Sequence, residues 1–490
     1  DLEELEGGAP AFVEGVVLIE RRASGLGGGG NREHAQEGEQ EETAYFGAGM
    51  TLELTTALNK IPGLRVKSPG STARFRDRAS LTSAAIADRL GARLLLDGAV
   101  QLLAEAVRVS WQLVDAPSDE QLAGDSYEAT FTPDGIFDLQ ARIAARIAEA
   151  LGLGVREPGL EPGLGTDDLG AYQAYLEGLY RFEQAGAGGF QAAIPSYERA
   201  IELDPDFALA HAGLAEAWLA SAHSGVLPEL AFTEGIRHAE HAIALDPGLA
   251  DAYTVQADSR FHYEWDWEGA ERAFLLGLEL QPTFATAHWW YAGLLAALGR
   301  FDEAEEQLDM ARAKDPITTP VMAAFAGRVY YWAGRYDEAA DAARRAIELS
   351  PTSAYAQATL GYIELRRGRV EEALAHFEEA AVLAPPAFLM SLANGLAAAG
   401  RREEALDALA RLEAIAETLP PDRFVSPYQT AKAYAALGDV ERALDLLEAA
   451  AEIRDASLVW VNVEPLFEPL RGGRRFRELL GRMGLRAASS

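Results

Sequence analysis

Cysteine is absent from this 490-residue sequence. Its absence excludes disulfides, thiolate nucleophiles and cysteine-ligated metals, but it leaves the compartment open because a large hydrophobic core needs no disulfide. No apolar run reaches the roughly 18 residues of a membrane-spanning helix. Basic side chains are also scarce, since 43 lysines and arginines face 76 acidic residues and the net charge is −33. Such a chain disfavours nucleic acid and anionic lipid as general partners and favours basic or cationic ones.

Several catalytic motifs are missing as well. The sequence contains no G-x-x-x-x-G-K-[ST] loop, no G-x-S-x-G elbow and no H-E-x-x-H pair. The glycines Gly25, Gly27 and Gly30 have the spacing of a dinucleotide-binding loop, but the polar, acidic stretch NREHAQEGEQEE follows and would repel phosphate. We therefore interpret the glycines as a flexible loop. The chain opens DLEELEGGAP, and we expect a processed or truncated product with any targeting segment upstream.

A short phrase recurs along the rest of the chain. ERAIELDP, HAIALDP, GLELQP, RAIELSP and AAVLAP each end on a proline after a helix-forming stretch. Proline blocks helix propagation and pushes the preceding residue out of the α region, so each phrase predicts a helix end. A fixed period near 34 residues with helical patterning is the signature of the tetratricopeptide repeat. The prolines that set this period lie 34 or 35 residues apart: Pro247, Pro282, Pro316, Pro351 and Pro385.

Each period predicts two helices. Small residues recur on the second helix, as at Ala339, Ala343 and Ala346, and let antiparallel helices approach to about 8–10 Å. Turns such as ALGRFDEA and WAGRYDEA put glycine where the first helix ends and acids in the first turn of the next. We count eight units between about residues 170 and 455. Such units stack into a superhelix whose concave face is lined by the first helices.

The first 165 residues follow a different pattern. GVVLI, GLRVKS and three alternating stretches that begin ARLLLDGAV, AVRVSWQLV and EQLAGDSYEATF predict five strands. Helices are predicted near residues 44–58 and 81–90, and the amphipathic IFDLQARIAARIAEALGL predicts another. This order predicts an α+β domain of βαβα, a meander and a final helix.

The stretch LGARLLLDGAVQLLAEAVRVSWQLVDAPSDEQLAGDSYEATFTPDGIFDLQARIA closely resembles the TolB-like N-terminal domain. That domain precedes tetratricopeptide arrays in bacterial regulators that carry Ser/Thr kinase, adenylate cyclase or winged-helix effector domains. The ending LVWVNVEPLFEPLRGGRRFRELLGRMGL is similar to the usual close of those arrays. The hairpin turn, here LLAEA, departs from the Gly-Asp of relatives, and this chain contains no effector domain. The resemblance implies a sensing or recruiting module, in the cytoplasm or outside the inner membrane.

Histidines concentrate between residues 211 and 288, where six of the eight lie. His238 and His241 could share a helix face and hold a metal with Glu240 or Asp246. We favour the alternative that one faces solvent and the other packs against the next unit. The sequence therefore predicts neither a metal site nor a cofactor.

Aromatic residues gather in FHYEWDWEGAERAF and HWWYAG. They form either a ligand-binding box or, more commonly, packed core between adjacent repeats. The phase of the repeat predicts a concave groove that is aromatic and locally basic, which suits an extended peptide with acidic or C-terminal carboxylate groups. The residues predicted to bind such a partner are Trp289, Arg328, Tyr331, Tyr362, Arg366, Tyr428 and Lys432.

The tail GGRRFRELLGRMGLR is a basic amphipathic segment. A helix of this kind can lie on a membrane. We favour the alternative that Phe476, Leu479 and Leu480 cover the last repeat while the arginines meet the acidic body.

These features predict a mostly α protein in three parts: a TolB-like α+β domain at 1–165, a tetratricopeptide superhelix at 166–455 and a capping segment at 456–490. We expect a non-catalytic scaffold or regulatory module that binds a protein or peptide within a larger bacterial assembly. The alternative is a structural accessory subunit, bound permanently in a larger bacterial complex, and complexes at a membrane surface belong to this alternative.

Overall fold

A computed structural model describes residues 13–20, parts of 46–66, and 82–90, 92–103, 105–153, 165–184, 190–282, 284–314, 320–384 and 388–486. The chain divides into two compact units, one comprising Asp1–Leu214 with Lys314–Ile317 and the other Ala215–Ala313 with Thr318–Ser490. Among the described helices, none combines the length and apolarity needed to cross a bilayer. The domain boundaries predicted after residues 165 and 455 stay a prediction.

The first unit contains a five-stranded sheet. Its strands are β1 (Val13–Glu20), β2 (Leu64–Val66), β3 (Leu94–Leu102), β4 (Ala106–Asp115) and β5 (Glu120–Thr130), with helix α1 (Ser83–Leu90) before β3. The order is β2-β1-β3-β4-β5; β1 runs parallel to both neighbours, and β3, β4 and β5 form an antiparallel meander. All five predicted strands are present. The glycine loop lies outside the described residues, whereas in the stretch 44–58, predicted as a helix, the described residues are helical.

Strand β4 illustrates how the sequence sets the sheet. Val107, Val109 and Trp111 are buried, and they alternate with the exposed Arg108 and Ser110. Successive side chains of a strand point to opposite faces, so this alternation gives the sheet one core face and one polar face.

Helix α2 (Pro133–Ala150) packs against β5. The Thr132 hydroxyl caps its N-terminus by accepting a hydrogen bond from the backbone N–H of Gly135. Ile136 and Ile143 are fully buried on the helix face that the amphipathic pattern predicts.

From Leu169 onward the described residues are almost entirely helical. Sixteen helices follow one another as eight consecutive pairs before a short closing segment. The helices are α3 (Leu169–Gln184), α4 (Ile194–Leu203), α5 (Ala208–Ala222), α6 (Pro228–Leu245), α7 (Ala250–Ser259), α8 (Trp267–Leu280), α9 (Ala285–Ala297), α10 (Phe301–Lys314), α11 (Pro320–Trp332), α12 (Tyr336–Leu349), α13 (Ala354–Arg366), α14 (Val370–Leu383), α15 (Leu389–Ala398), α16 (Arg402–Ala416), α17 (Pro427–Ala436), α18 (Val440–Glu452) and, after the pairs, α19 (Arg474–Arg482).

One glycine turn joins the two helices of most pairs. At the end of α11, Gly334 adopts a φ of 76°, its N–H donates to the Tyr331 carbonyl (3.1 Å) and the next N–H, of Arg335, donates to the Tyr330 carbonyl (2.9 Å). This left-handed cap satisfies carbonyls that the helix end leaves free. Four more glycines have φ between 74° and 77° at the same place: Gly299, Gly368, Gly400 and Gly438.

The proline phrases end helices as predicted. Asp246 and Ser350, which precede Pro247 and Pro351, have extended backbones with φ of −136° and −146°. Each proline therefore stops the second helix of one pair and directs the chain to the next pair.

Small residues allow the helices to approach closely. Ala339, Ala343 and Ala346 are fully buried on α12. On α13, a Cβ at Gly361 would lie only 2.6 Å from the ring of Phe377 on α14. The solenoid core is thus set by alternating small and aromatic residues.

Candidate functional site

The seven residues predicted to bind a partner lie on the first helices of four pairs in the second unit. Six of them are buried, and Arg366 alone is exposed. We call them the groove residues: Trp289 on α9, Arg328 and Tyr331 on α11, Tyr362 and Arg366 on α13, and Tyr428 and Lys432 on α17.

The chain's own residues 456–470 fill the groove. This C-terminal segment consists of two 3-10 helices, Ala456–Trp460 and Pro465–Leu470. Trp460 stacks on Trp332, with ring centroids 5.1 Å apart and planes at 17°. A non-repeating segment of the chain thus packs against the helices that carry the groove residues.

Glu464 lies at the centre of the contact and is fully buried. Its Oε1 accepts a hydrogen bond from the Tyr331 hydroxyl at 2.7 Å. Its Oε2 lies 3.4 Å from Nη2 of Arg328 and 3.8 Å from Nζ of Lys432. The indole N–H of Trp332 donates to the same oxygen at 3.4 Å. With the backbone N–H of Leu466, which lies 3.3 Å from Oε1, five donor groups thus surround one carboxylate.

Aromatic rings complete the surroundings of both cations. Lys432 Nζ lies 3.8 Å from the centroid of the Tyr362 ring. Arg328 Cζ lies 5.0 Å from the Trp332 ring and 5.4 Å from that of Tyr362. Ring faces attract cations most strongly where water is excluded, so the groove holds positive charge without a bulk solvent shell.

Burial and charge together set the ionisation of this cluster. Burial lowers the pKa of Lys432 to about 7, which Glu464 opposes and Arg328 reinforces. Burial acts to raise the pKa of Glu464, but Lys432 and Arg328 outweigh it and the pKa is lowered. Burial likewise acts to lower the pKa of Arg328, but Glu464 outweighs it and the pKa is raised. The Arg328–Glu464 pair therefore stays ionised, while Lys432 exchanges its proton near neutral pH.

The other groove residues make separate contacts. Tyr428 packs edge-on against Phe467 of the segment, with centroids 5.5 Å apart. Arg366 Nη2 lies 3.4 Å from the exposed carboxylate of Glu468. Trp289 packs on Phe325 in the aromatic core instead, which agrees with the core interpretation of that cluster. Binding of a partner by the groove residues stays a prediction.

Sequence reasoning missed the groove's occupant. Trp460 and Glu464 do not follow the repeat, so its phase could not place them. One feature of LVWVNVEPLF could have identified them, because Glu464 is the lone acid in a run whose other residues, apart from Asn462, are apolar. A buried carboxylate needs a partner cation or several donors.

The basic tail caps the last helix pair. Phe476, Leu479 and Leu480 of α19 are buried in one cluster with Leu447 of α18. Arg475 extends over α18 and contacts the carboxylates of three residues: Glu441 (3.0 Å), Asp445 (2.7 Å) and Glu448 (2.8 Å). These contacts cover the apolar end of the last helix pair.

The histidines that could bind a metal are not His238 and His241, the pair first considered from the sequence. His238 is buried and His241 is exposed on α6. In the described residues, a group of possible ligands is formed by His223, Asp258 and His262, whose ligand atoms lie within 4.8 Å of one another.

Comparison with known families identifies the repeats. One tetratricopeptide repeat model matches residues 183–221, 266–316 and 326–388, and a second matches residues 386–411 and 428–449. The chain therefore contains tetratricopeptide repeats. These repeats support a protein–protein interaction scaffold, since proteins that contain them bind protein partners.

One curated relative and several solved structures are similar to parts of the chain. The protein named putative adenylate cyclase 3 of Rhizobium meliloti (strain 1021) is 27% identical over 175 residues, which is 35% of this chain and 29% of that protein. MamA is 19% identical with a TM-score of 0.28, covering 42% of this chain and 96% of its own. PilW, a type IV pilus biogenesis factor, is 20% identical with a TM-score of 0.35, covering 42% and 95%. The Cut9–Hcn1 structure of the APC/C is 14% identical with a TM-score of 0.35, covering 71% and 83%.

Proposed function

We propose that this protein is a non-catalytic scaffold or regulatory module that binds a protein partner in the groove, in exchange for its own C-terminal segment. One observation carries the proposal: the carboxylate of Glu464 is fully buried and is held by Tyr331 at 2.7 Å while facing Arg328 and Lys432. Groups that hold a carboxylate of one chain segment suit the same group on a partner peptide.

The segment describes the partner that the groove would accept. Trp460 stacks on Trp332, and Glu464 follows four residues later. A competing peptide therefore carries an aromatic residue and, four residues on, an acid. It must also overcome the tether, because a linked segment competes at an effective concentration on the order of millimolar.

A peptide-binding experiment on the full-length chain tests this exchange. The probe is a fluorescein-labelled peptide with the sequence of residues 456–470, followed by anisotropy. The wild-type chain excludes the peptide, whereas Glu464→Gln, whose own segment is weakened, binds it about 100-fold more tightly.

Two matched controls decide the outcome. Glu468→Gln makes the same charge change at an exposed position of the same segment and leaves peptide binding as in the wild type. A probe peptide with glutamine in place of the residue corresponding to Glu464 loses binding. If the Glu464→Gln chain binds the probe no better than the wild-type chain, the groove is a permanent core and the proposal is wrong.

The N-terminal part of the proposal concerns regulation. A TolB-like domain at 1–165, the superhelix at 166–455 and the cap at 456–490 would make this chain the non-catalytic portion of a regulator. The five-stranded sheet supports this, as does the relative named as an adenylate cyclase. The proposal assigns no cyclase chemistry here, because the similarity extends over 29% of that relative.

A second candidate function is a permanent accessory subunit of a larger complex. It is favoured by an apolar patch on α8, where Leu275, Leu276 and Leu280 are 50%, 39% and 42% exposed. Size-exclusion chromatography of the native source distinguishes the two, because a permanent subunit never elutes as the free chain. A regulatory module also elutes alone, and Leu276→Lys leaves its elution volume unchanged.

A further inference from the structure

Three side chains from three separate elements meet in the second unit, away from Glu464. His223 lies in the turn after α5, Asp258 near the end of α7, and His262 in a π-turn, Arg260–Glu264. His223 Nε2 lies 3.4 Å from Asp258 Oδ2, and His262 Nε2 lies 3.4 Å from Asp258 Oδ1. The π-turn returns the chain through Trp265 at a φ of 61°. Turns of this kind are frequent at functional sites.

The hydrogen-bond directions in this cluster leave two buried atoms without a hydrogen-bond partner. His262 Nδ1 lies 2.7 Å from the carbonyl oxygen of Ala456. Because a carbonyl only accepts, Nδ1 carries the hydrogen and donates it. Nε2 of the neutral ring then presents a lone pair toward Asp258, and both Nε2 and Asp258 Oδ1 are buried without a hydrogen-bond partner. Two lone pairs that face each other in a dry interior require a cation between them.

The facing ligand atoms are shielded from solvent. Both Asp258 and His262 are fully buried. Asp455, another buried carboxylate nearby, is already engaged by Ser426 and by the backbone of Ser457.

The geometry matches a metal. Each histidine Nε2 lies 3.4 Å from one of the two Asp258 oxygens, and all the ligand atoms lie within 4.8 Å of one another. Ligands at about 2.0–2.2 Å from a tetrahedral zinc ion lie roughly 3.3–3.5 Å apart, so the cluster has the dimensions of a zinc site. The hydrogen bond from His262 Nδ1 to a backbone carbonyl is the usual outer contact of a metal-binding histidine, since it fixes the ring and leaves Nε2 free. The His223 side chain is 23% exposed, which gives the cluster access to solvent.

We propose that His223, Asp258 and His262 form a binding site for a divalent first-row transition metal, with Zn²⁺ as the preferred ion. Two imidazoles and one carboxylate suit Zn²⁺, Co²⁺ or Fe²⁺ and disfavour Mg²⁺ and Ca²⁺, which take oxygen ligands. A fourth position faces the solvent side, where water completes the coordination. Because His262 holds Ala456, the first residue of the C-terminal segment, metal binding stabilises the segment in the groove.

The test measures metal binding by the full-length chain. Protein stripped with a chelator is equilibrated with Zn²⁺, freed of excess ion and assayed for bound zinc. We expect about one ion per chain, and we expect Asp258→Asn and His223→Ala each to weaken binding by more than about 100-fold, since loss of an outer contact alone costs about 10–100-fold. His241→Ala, a change at an exposed histidine on α6, retains wild-type binding.

A second measurement needs no variant. Co²⁺ bound to the wild-type chain by two imidazoles, a carboxylate and water gives the intense visible bands of a four-coordinate ion, and Zn²⁺ abolishes them by displacement. The proposal is overturned if the wild-type chain retains no zinc. It is equally overturned if zinc binding survives in both ligand variants.

Discussion

Replacement of Glu464 by glutamine gives the sharpest test of how the segment is held. The substitution keeps the shape of the side chain but removes its charge. One oxygen still accepts from Tyr331, but the new amide N–H₂ faces the donors of Arg328 and Lys432. Lys432 can release its proton, since its pKa is about 7, so the unpaired charge that remains is on Arg328.

The size of the effect follows from burial. Removing one partner of a buried ion pair costs about 3–5 kcal/mol, and the proton released by Lys432 places the expected value near the lower limit, about 3 kcal/mol. The control Glu468→Gln breaks an ion pair whose carboxylate side chain is 64% exposed, so it costs less than about 1 kcal/mol. The stability of the C-terminal segment should fall, while the stability of the rest of the solenoid should change little.

Native-state hydrogen exchange followed by mass spectrometry measures this locally, which matters because a chain of two units need not unfold in a single step. Peptides from residues 456–470 should lose protection by about 100-fold in Glu464→Gln and by less than about tenfold in Glu468→Gln. Adding Arg328→Met to Glu464→Gln should restore part of the protection, since no unpaired guanidinium is left. Equal protection in the two single variants would refute the buried ion-pair argument.

Three further substitutions test other parts of the structure. Lys432→Met removes a group with a pKa of about 7 in the folded chain and 10.5 in the unfolded chain. The unfolded chain binds more protons between these two values, so the wild type gains stability as the pH rises through this window. Urea unfolding should find that the free energy of unfolding of the variant does not rise in this way. Trp460→Ala removes the stacking on Trp332 and should lower the free energy of segment opening by about 3 kcal/mol, measured by the same exchange experiment. Gly361→Ala puts a methyl group against the Phe377 ring and should destabilise the chain by about 1–3 kcal/mol in urea unfolding, whereas Gly481→Ala, with open space around it, should not.

The repeat was predictable because its physical causes are local. Proline ends a helix in any sequence context, as Pro351 does here, and Gly334 reaches positive φ without a side-chain clash. Ala339 and Ala343 share one helix face because of the helical period. Each of these effects acts within a few residues, so the sequence alone specifies the helix pairs and the faces that they bury.

The occupant of the groove was not predictable in the same way. Phase along the repeat predicted that Tyr331 and Lys432 share one surface, but it carries no information about Glu464, which is more than 100 residues further along the chain than Tyr331. The cluster of His223 with Asp258 was missed for the same reason, since a loop and a π-turn interrupt the period there. Long-range contacts made by non-repeating segments lie outside what periodicity can specify.

The charge balance of the groove bears on the proposed exchange of the segment for a partner peptide. Arg328 and Lys432 offer two positive charges, but Glu464 supplies one negative charge. Burial is the main cause of the lowered pKa of Lys432, and the neighbouring charge of Arg328 lowers it further, while Glu464 alone opposes them. A partner peptide with a second acid within reach of Lys432 would neutralise both cations and raise that pKa again. Such a peptide gains a charge pair that the segment cannot provide, and this gain is what offsets the advantage of the tether.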